Sequence, residues 1–104
     1  MNENWIDVGP SEQCLDGTAV EVIAGDHVIA LFRIAGKLWA IDGICAHQGG
    51  PIAQGEIHDG CVTCPWHGWQ YELATGVQTI NRKTLQRVFP VRECEGRIEI
   101  QVSM

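Results

Sequence analysis

Cys45-Ala46-His47-Gln48-Gly49-Gly50-Pro51 and Cys64-Pro65-Trp66-His67-Gly68-Trp69-Gln70-Tyr71-Glu72 decide how this 104-residue chain is read. Each stretch brings one cysteine and one histidine. Together they offer two thiolates and two imidazoles, enough for four coordination positions around iron or zinc. A structural zinc site commonly takes a close cysteine pair from one segment and a close histidine pair from another. One of each per segment suits two sulfide-bridged metals, one held by both cysteines and the other by both histidines. Zinc accepts the same ligands and stays open as the alternative. Gly49, Gly50 and Gly68 allow tight loops with amides aimed at the sulfurs, and these loops should leave the histidine edges near solvent.

Strand signals surround both loops, alternating with glycine turns. Trp5–Val8 opens the chain. Residues 19–23 and 28–34 read as a hairpin around Ala24-Gly25-Asp26-His27, and 37–41 continues it after Ala35-Gly36. Residues 55–57 and 61–63 flank a turn at His58-Asp59-Gly60. Residues 69–73 and 77–80 pair across Ala74-Thr75-Gly76, so two hairpins display the two loops side by side. Residues 86–94 and 97–102 form a terminal hairpin around Glu95-Gly96, with Ile98, Ile100 and Val102 alternating as a half-buried strand does. No helix, repeat or linker is evident. The expected fold is all-β: a single domain over 1–104, with an antiparallel sandwich framework and a small lobe at about 43–75.

With Gly55, Gly60 and Thr75-Gly76 added, the two stretches resemble the cluster-binding region of Rieske proteins. They are most similar to small soluble Rieske-type ferredoxins, and also similar to the small subunit of assimilatory nitrite reductase. A C-x-H…C-P-x-H-G pattern at this spacing is far more specific than a lone C-x-x-C. The resemblance implies three antiparallel sheets, and a [2Fe–2S] cluster ligated by Cys45, His47, Cys64 and His67. Neutral imidazoles on one iron leave that cluster less negative than four thiolates would. Its potential is therefore higher, about −150 to +300 mV against about −400 mV for plant-type clusters.

Departures from the family pattern refine this. High-potential respiratory members carry an extra cysteine pair bridging the loops, where this chain has Gly50 and Trp66. They also place a serine at the position of Trp69, a donor to a bridging sulfide, so its loss points to the low end of the range. Tyr71 argues the other way, standing where those members have a tyrosine bonded to a cysteine sulfur and ferredoxin types commonly have phenylalanine.

Composition sets the bounds. Thirteen acidic against seven basic residues give a net charge of −6, which disfavours nucleic acid and suits either a basic partner face or simple solubility. The apolar run Val28–Phe32 ends at Arg33, far short of a membrane span. Met1-Asn2-Glu3-Asn4 has no basic n-region and no long apolar segment follows, which favours a cytoplasmic protein without a secretory signal. Five cysteines less two ligands leave Cys14, Cys61 and Cys94, an odd remainder that fits a reducing compartment. Cys61 reads as a small buried apolar residue facing away from Cys64. Trp66 and Trp69 read as packing under the loops, and Arg82, Lys83 and Arg87 as a solvated basic loop.

Four histidines less two leave His27 and His58, both in predicted turns and expected to be exposed. That is too few for the 2-His-1-carboxylate iron of a fused oxygenase, and no nucleophile–base set or phosphate loop is present. The leading expectation is therefore a non-enzymatic one-electron carrier: the ferredoxin component of a ring-hydroxylating or related oxygenase system. Its donor would be a flavoprotein reductase, and its acceptor an oxygenase or reductase. The alternatives are a permanent nitrite reductase subunit and, in another class, a zinc- or cluster-stabilised interaction domain.

Overall fold

The computed structural model describes residues 5–45, 49–66 and 68–102. Among the described residues ten strands form three antiparallel sheets. The first contains β1 (Trp5–Pro10), β10 (Arg97–Gln101) and β9 (Val91–Cys94), in that order. The second runs β2 (Thr18–Ala24), β3 (His27–Ile34), β4 (Lys37–Asp42) and β8 (Val88–Phe89). The third, smaller sheet holds β5 (Glu56–His58), β6 (Cys61–Thr63) and β7 (Gln70–Glu72). Short 3₁₀ turns occur at Ser11–Gln13 and Ile52–Gln54. Among the described residues no helix is long and apolar enough to cross a membrane.

β3 explains the arrangement. Its run Ile29-Ala30-Leu31-Phe32 is buried at every position, as befits a strand covered on both faces. Ile29 and Leu31 point into one core with Ile98 and Ile100, while Ala30 and Phe32 point into another with Val62, Tyr71, Cys45 and Cys64. Register carries the division across the sheet: Leu31 lies opposite Ala40 in the first core, and Ala30 opposite Ile41 in the second. The middle sheet is thus the shared wall between framework and lobe. Burying one such aliphatic side chain contributes about 1.5–3 kcal/mol, and most of both cores is built this way.

The expected strands are present with two exceptions. Residues 86–94 do not form one strand, because Pro90 has no amide to offer a ladder and the chain changes sheets there. β8 pairs with β4 and β9 with β10. Residues 77–80 make isolated bridges, from Gln78 to Tyr71 and from Val77 to Thr84, and no strand. The Gln78 carboxamide oxygen accepts from the amides of Ile80 (3.0 Å) and Asn81 (2.7 Å), which turns the chain before a strand can extend.

Candidate metal centre

Both expected cysteine ligands end up in the lobe core. Cys45 is 3% exposed and Cys64 is 1% exposed. Cys45 follows β4 and a bridge between Ile44 and Pro51, and Cys64 leaves the end of β6. The two loops close alike: the Cys45 amide donates to the Gly50 carbonyl at 2.8 Å, and the Cys64 amide to the Trp69 carbonyl at 2.7 Å. Each cysteine thus bonds the carbonyl five residues ahead. His47 and His67 lie outside the described residues, as do Ala46 and Gln48.

Three observations test whether a metal cluster fits here. Burial pushes the Cys64 thiol above its ordinary pKa; the Trp66 amide at 3.4 Å opposes this, and the neighbouring Cys45 pushes it further up. Two adjoining buried thiols resist ionising together, and a bound metal cation is what makes both of them thiolates. Next, a Cβ at position 50 would lie 2.8 Å from Cys64 Sγ and 2.9 Å from Trp66 Cγ, so only glycine leaves that space beside the sulfur clear. Last, the Tyr71 hydroxyl stands 3.2 Å from Cys45 Sγ, completely buried. The site fits a thiolate-bound iron cluster. Among the described residues no three metal-ligating side chains cluster, since half of the expected set lies outside them.

Register places Tyr71 there. It lies opposite Val62 on β6, so its side chain shares the face that carries Val62 and Cys64 inward. Trp69 packs against the same core as expected. Trp66 does not: it is 50% exposed, with its Cβ and Cγ beside Gly50. Cys61 faces away from the Val62–Cys64 side as expected, but is half-buried rather than buried, since that face of β6 is incompletely covered. His58 is exposed, whereas His27 is half-buried with its ring 5.5 Å from that of Phe89. Of the basic residues, Arg82 pairs with Glu72 at 3.0 Å and Arg87 lies over the Phe89 ring at 4.8 Å.

One buried polar residue without a sequence signal joins the site. Gln86, 1% exposed, donates to the carbonyls of Asp42 and Ile44 at the root of the first loop. It stands in a polar, basic stretch where nothing distinguishes it from a surface glutamine.

Residues 4–90 match the Rieske [2Fe-2S] domain family. The anthranilate 1,2-dioxygenase ferredoxin subunit of Burkholderia cepacia is 31% identical over 99 residues, covering 94% of this chain and 92% of that protein. A ferredoxin component of naphthalene 1,2-dioxygenase/salicylate 5-hydroxylase systems from Ralstonia sp. is 29% identical over 103 residues, covering 98% and 99%. In fold, the chain is similar to a protein described as the NADH-dependent nitrite reductase small subunit of Mycobacterium tuberculosis, with a TM-score of 0.90 and 22% identity over 100% and 99% of the two chains. With its paired buried cysteines and a family match over most of its length, this chain belongs to the Rieske [2Fe-2S] domain family.

Proposed function

We propose that this protein is the ferredoxin component of an oxygenase system, taking one electron from a flavoprotein reductase and giving it to an oxygenase. One observation carries the reading. The chain matches oxygenase ferredoxins along nearly their whole length, leaving them no catalytic domain that it lacks. Cys45, His47, Cys64 and His67 are the proposed cluster ligands, in a cytoplasmic setting. When bound, the Rieske-type [2Fe–2S] cluster accepts and releases a single electron.

The chain's own residues supply the environment. Tyr71 holds a hydroxyl at Cys45 Sγ, where added negative charge strengthens the bond. Phe32, Ile52 and Val62 exclude water from the sulfur side. Ile44 and Trp66, each next to a ligand cysteine, are 53% and 50% exposed and give a partner an apolar rim beside the site.

Anaerobic purification tests the cluster: a red-brown protein with about two irons per chain and a reduced EPR signal of low average g is expected. A colourless protein with one zinc refutes it. Reconstitution with a flavoprotein reductase and an aromatic-ring oxygenase tests the role. Stable co-purification with a sirohaem enzyme would instead mark a nitrite reductase subunit.

A further inference from the structure

Gln86 comes from outside both motif loops, yet it reaches the peptide that carries Cys45. Its Nε2 donates to the Asp42 carbonyl at 3.2 Å and to the Ile44 carbonyl at 2.9 Å. The Ile44 carbonyl and the Cys45 amide belong to one peptide plane. At the other end of that plane, the Cys45 amide donates to the Gly50 carbonyl at 2.8 Å. The plane is therefore pinned at both ends, by a side chain at one and by the loop backbone at the other. Its tilt sets where the Cys45 Cα, and hence Sγ, can lie. Sγ in turn meets the Tyr71 hydroxyl at 3.2 Å.

Gln86 is itself anchored. Its amide donates to the Gly76 carbonyl at 3.1 Å, and a Cβ on Gly76 would run into the Gln86 carbonyl. Next to it, the Asp42 amide donates to the Arg87 carbonyl at 2.8 Å, and the Arg87 amide donates to Asp42 Oδ2 at 3.0 Å. The segment is a fixed post between the chain leaving β7 and the root of the first loop. Water or any other donor could satisfy a buried carbonyl. A side chain clamped at its own backbone also fixes that carbonyl's direction.

We propose that Gln86 is a positioning residue for Cys45: by pinning the Ile44–Cys45 peptide it keeps the sulfur within reach of the Tyr71 hydroxyl and so raises the reduction potential of the bound cluster. This rests on the reading of Cys45 as a ligand. The test is potentiometry with EPR and iron quantification on anaerobically purified holoprotein. Gln86→Leu should retain its iron and shift the midpoint downward, in the direction of Tyr71→Phe. In the double variant the midpoint should fall no further than in Tyr71→Phe alone, because Gln86 acts through that contact. Gln86→Asn, one methylene too short to reach both carbonyls, should shift the same way, and it serves if Gln86→Leu does not fold. Gln13→Leu removes a comparable bond in the framework, from Gln13 Nε2 to the Val8 carbonyl at 2.9 Å, and touches neither Cys45 nor the Gln86 segment, so its midpoint should equal the wild type's. A wild-type midpoint in both Gln86 variants overturns the proposal. So do fully additive shifts in the double variant, or an equal shift in Gln13→Leu. A wild-type protein without iron or the low-g signal overturns the cluster assignment instead.

Discussion

Replacing Tyr71 by phenylalanine removes one oxygen from a completely buried ring and leaves its packing against Val62 intact. The hydroxyl lies 3.2 Å from Cys45 Sγ, so the chief loss is its bond to that sulfur. Hydrogen bonds to charged groups contribute about 1.5–3 kcal/mol. The bond exists in both oxidation states but is stronger in the reduced one, where the sulfur carries more negative charge. If about half of that energy is specific to the reduced state, the difference is about 0.8–1.5 kcal/mol. For a one-electron couple, where about 59 mV is a tenfold change in equilibrium constant, this lowers the midpoint by about 35–65 mV. Film voltammetry or a dye-mediated EPR titration on matched samples measures it. Iron content and g values should stay near wild type, since no ligand changes. A Tyr71→Phe midpoint equal to that of wild type would refute the reasoning and leave Trp69 as the stronger influence on potential.

Gly50→Ala places a methyl 2.8 Å from Cys64 Sγ, so iron per chain should fall well below two while far-UV circular dichroism stays β-type. Ile44→Ser, at a rim residue 53% exposed beside Cys45, should slow electron delivery to the oxygenase in stopped flow while iron per chain stays at the wild-type value. The Arg33–Glu93 pair joins β3 to β9 at 2.7 Å, and the hydrogen bond from Arg33 holds the Glu93 carboxyl below its ordinary pKa. A lowered folded-state pKa stabilises above the unfolded value of about 4.3, and that contribution is lost as pH falls further. The Tm gap between wild type and Glu93→Gln should therefore hold from pH 7 to about pH 5 and narrow as pH falls through about 4.3 and below. It should also be small throughout, since the pair is partly exposed. Chelating the metal should raise hydrogen exchange at the Cys45 and Cys64 amides and leave β2 and β3 protected.

What could be read in advance was what local chemistry dictates. Ile98, Ile100 and Val102 alternate in the sequence and all three are buried. The turn at Glu95-Gly96 falls where expected, with both residues at positive φ (52° and 79°), as a two-residue hairpin requires. The motif pattern led to Cys45 and Cys64 because metal ligands need fixed residue types at fixed spacing. Long-range effects were hidden. Gln78 ends a strand-like stretch by turning its carboxamide on the next amides, and nothing in Val77-Gln78-Thr79-Ile80 announces that. Gln86 reaches a carbonyl 42 residues earlier in the chain. Pro90 is the one boundary whose signal stood in plain view: a proline inside an apparent strand argues against that strand. Tyr71 was placed by resemblance, and the pairing of β6 with β7 supplies the physical reason its hydroxyl faces the sulfur.

The absence of a covalent clip between the motif loops shapes how cofactor and fold depend on one another. A Cβ at position 50 would stand 3.1 Å from that of Trp66, so the two positions face each other where the respiratory members resemble a stapled pair. Here Gly50 and Trp66 meet only by contact, and among the described residues the loop roots are tied by the Cys45, Cys64 and Gln86 hydrogen bonds. Each such bond contributes about 0.5–1.5 kcal/mol net, less than a disulfide's typical 2–4 kcal/mol. With Cys45 and Cys64 as the proposed ligands, the strongest link available between the loops would be the shared cluster, converting two reluctant thiols into ligands and joining β4's end to that of β6. The framework core needs no such link, because Ile29, Leu31, Ile98 and Ile100 pack without either motif cysteine. Binding energy from the metal would therefore fall on the lobe, while the potential would be set by what surrounds the sulfurs. Tyr71 and Gln86 belong to that surrounding, Tyr71 on β7 of the lobe and Gln86 in the segment whose amide is held by the Gly76 carbonyl.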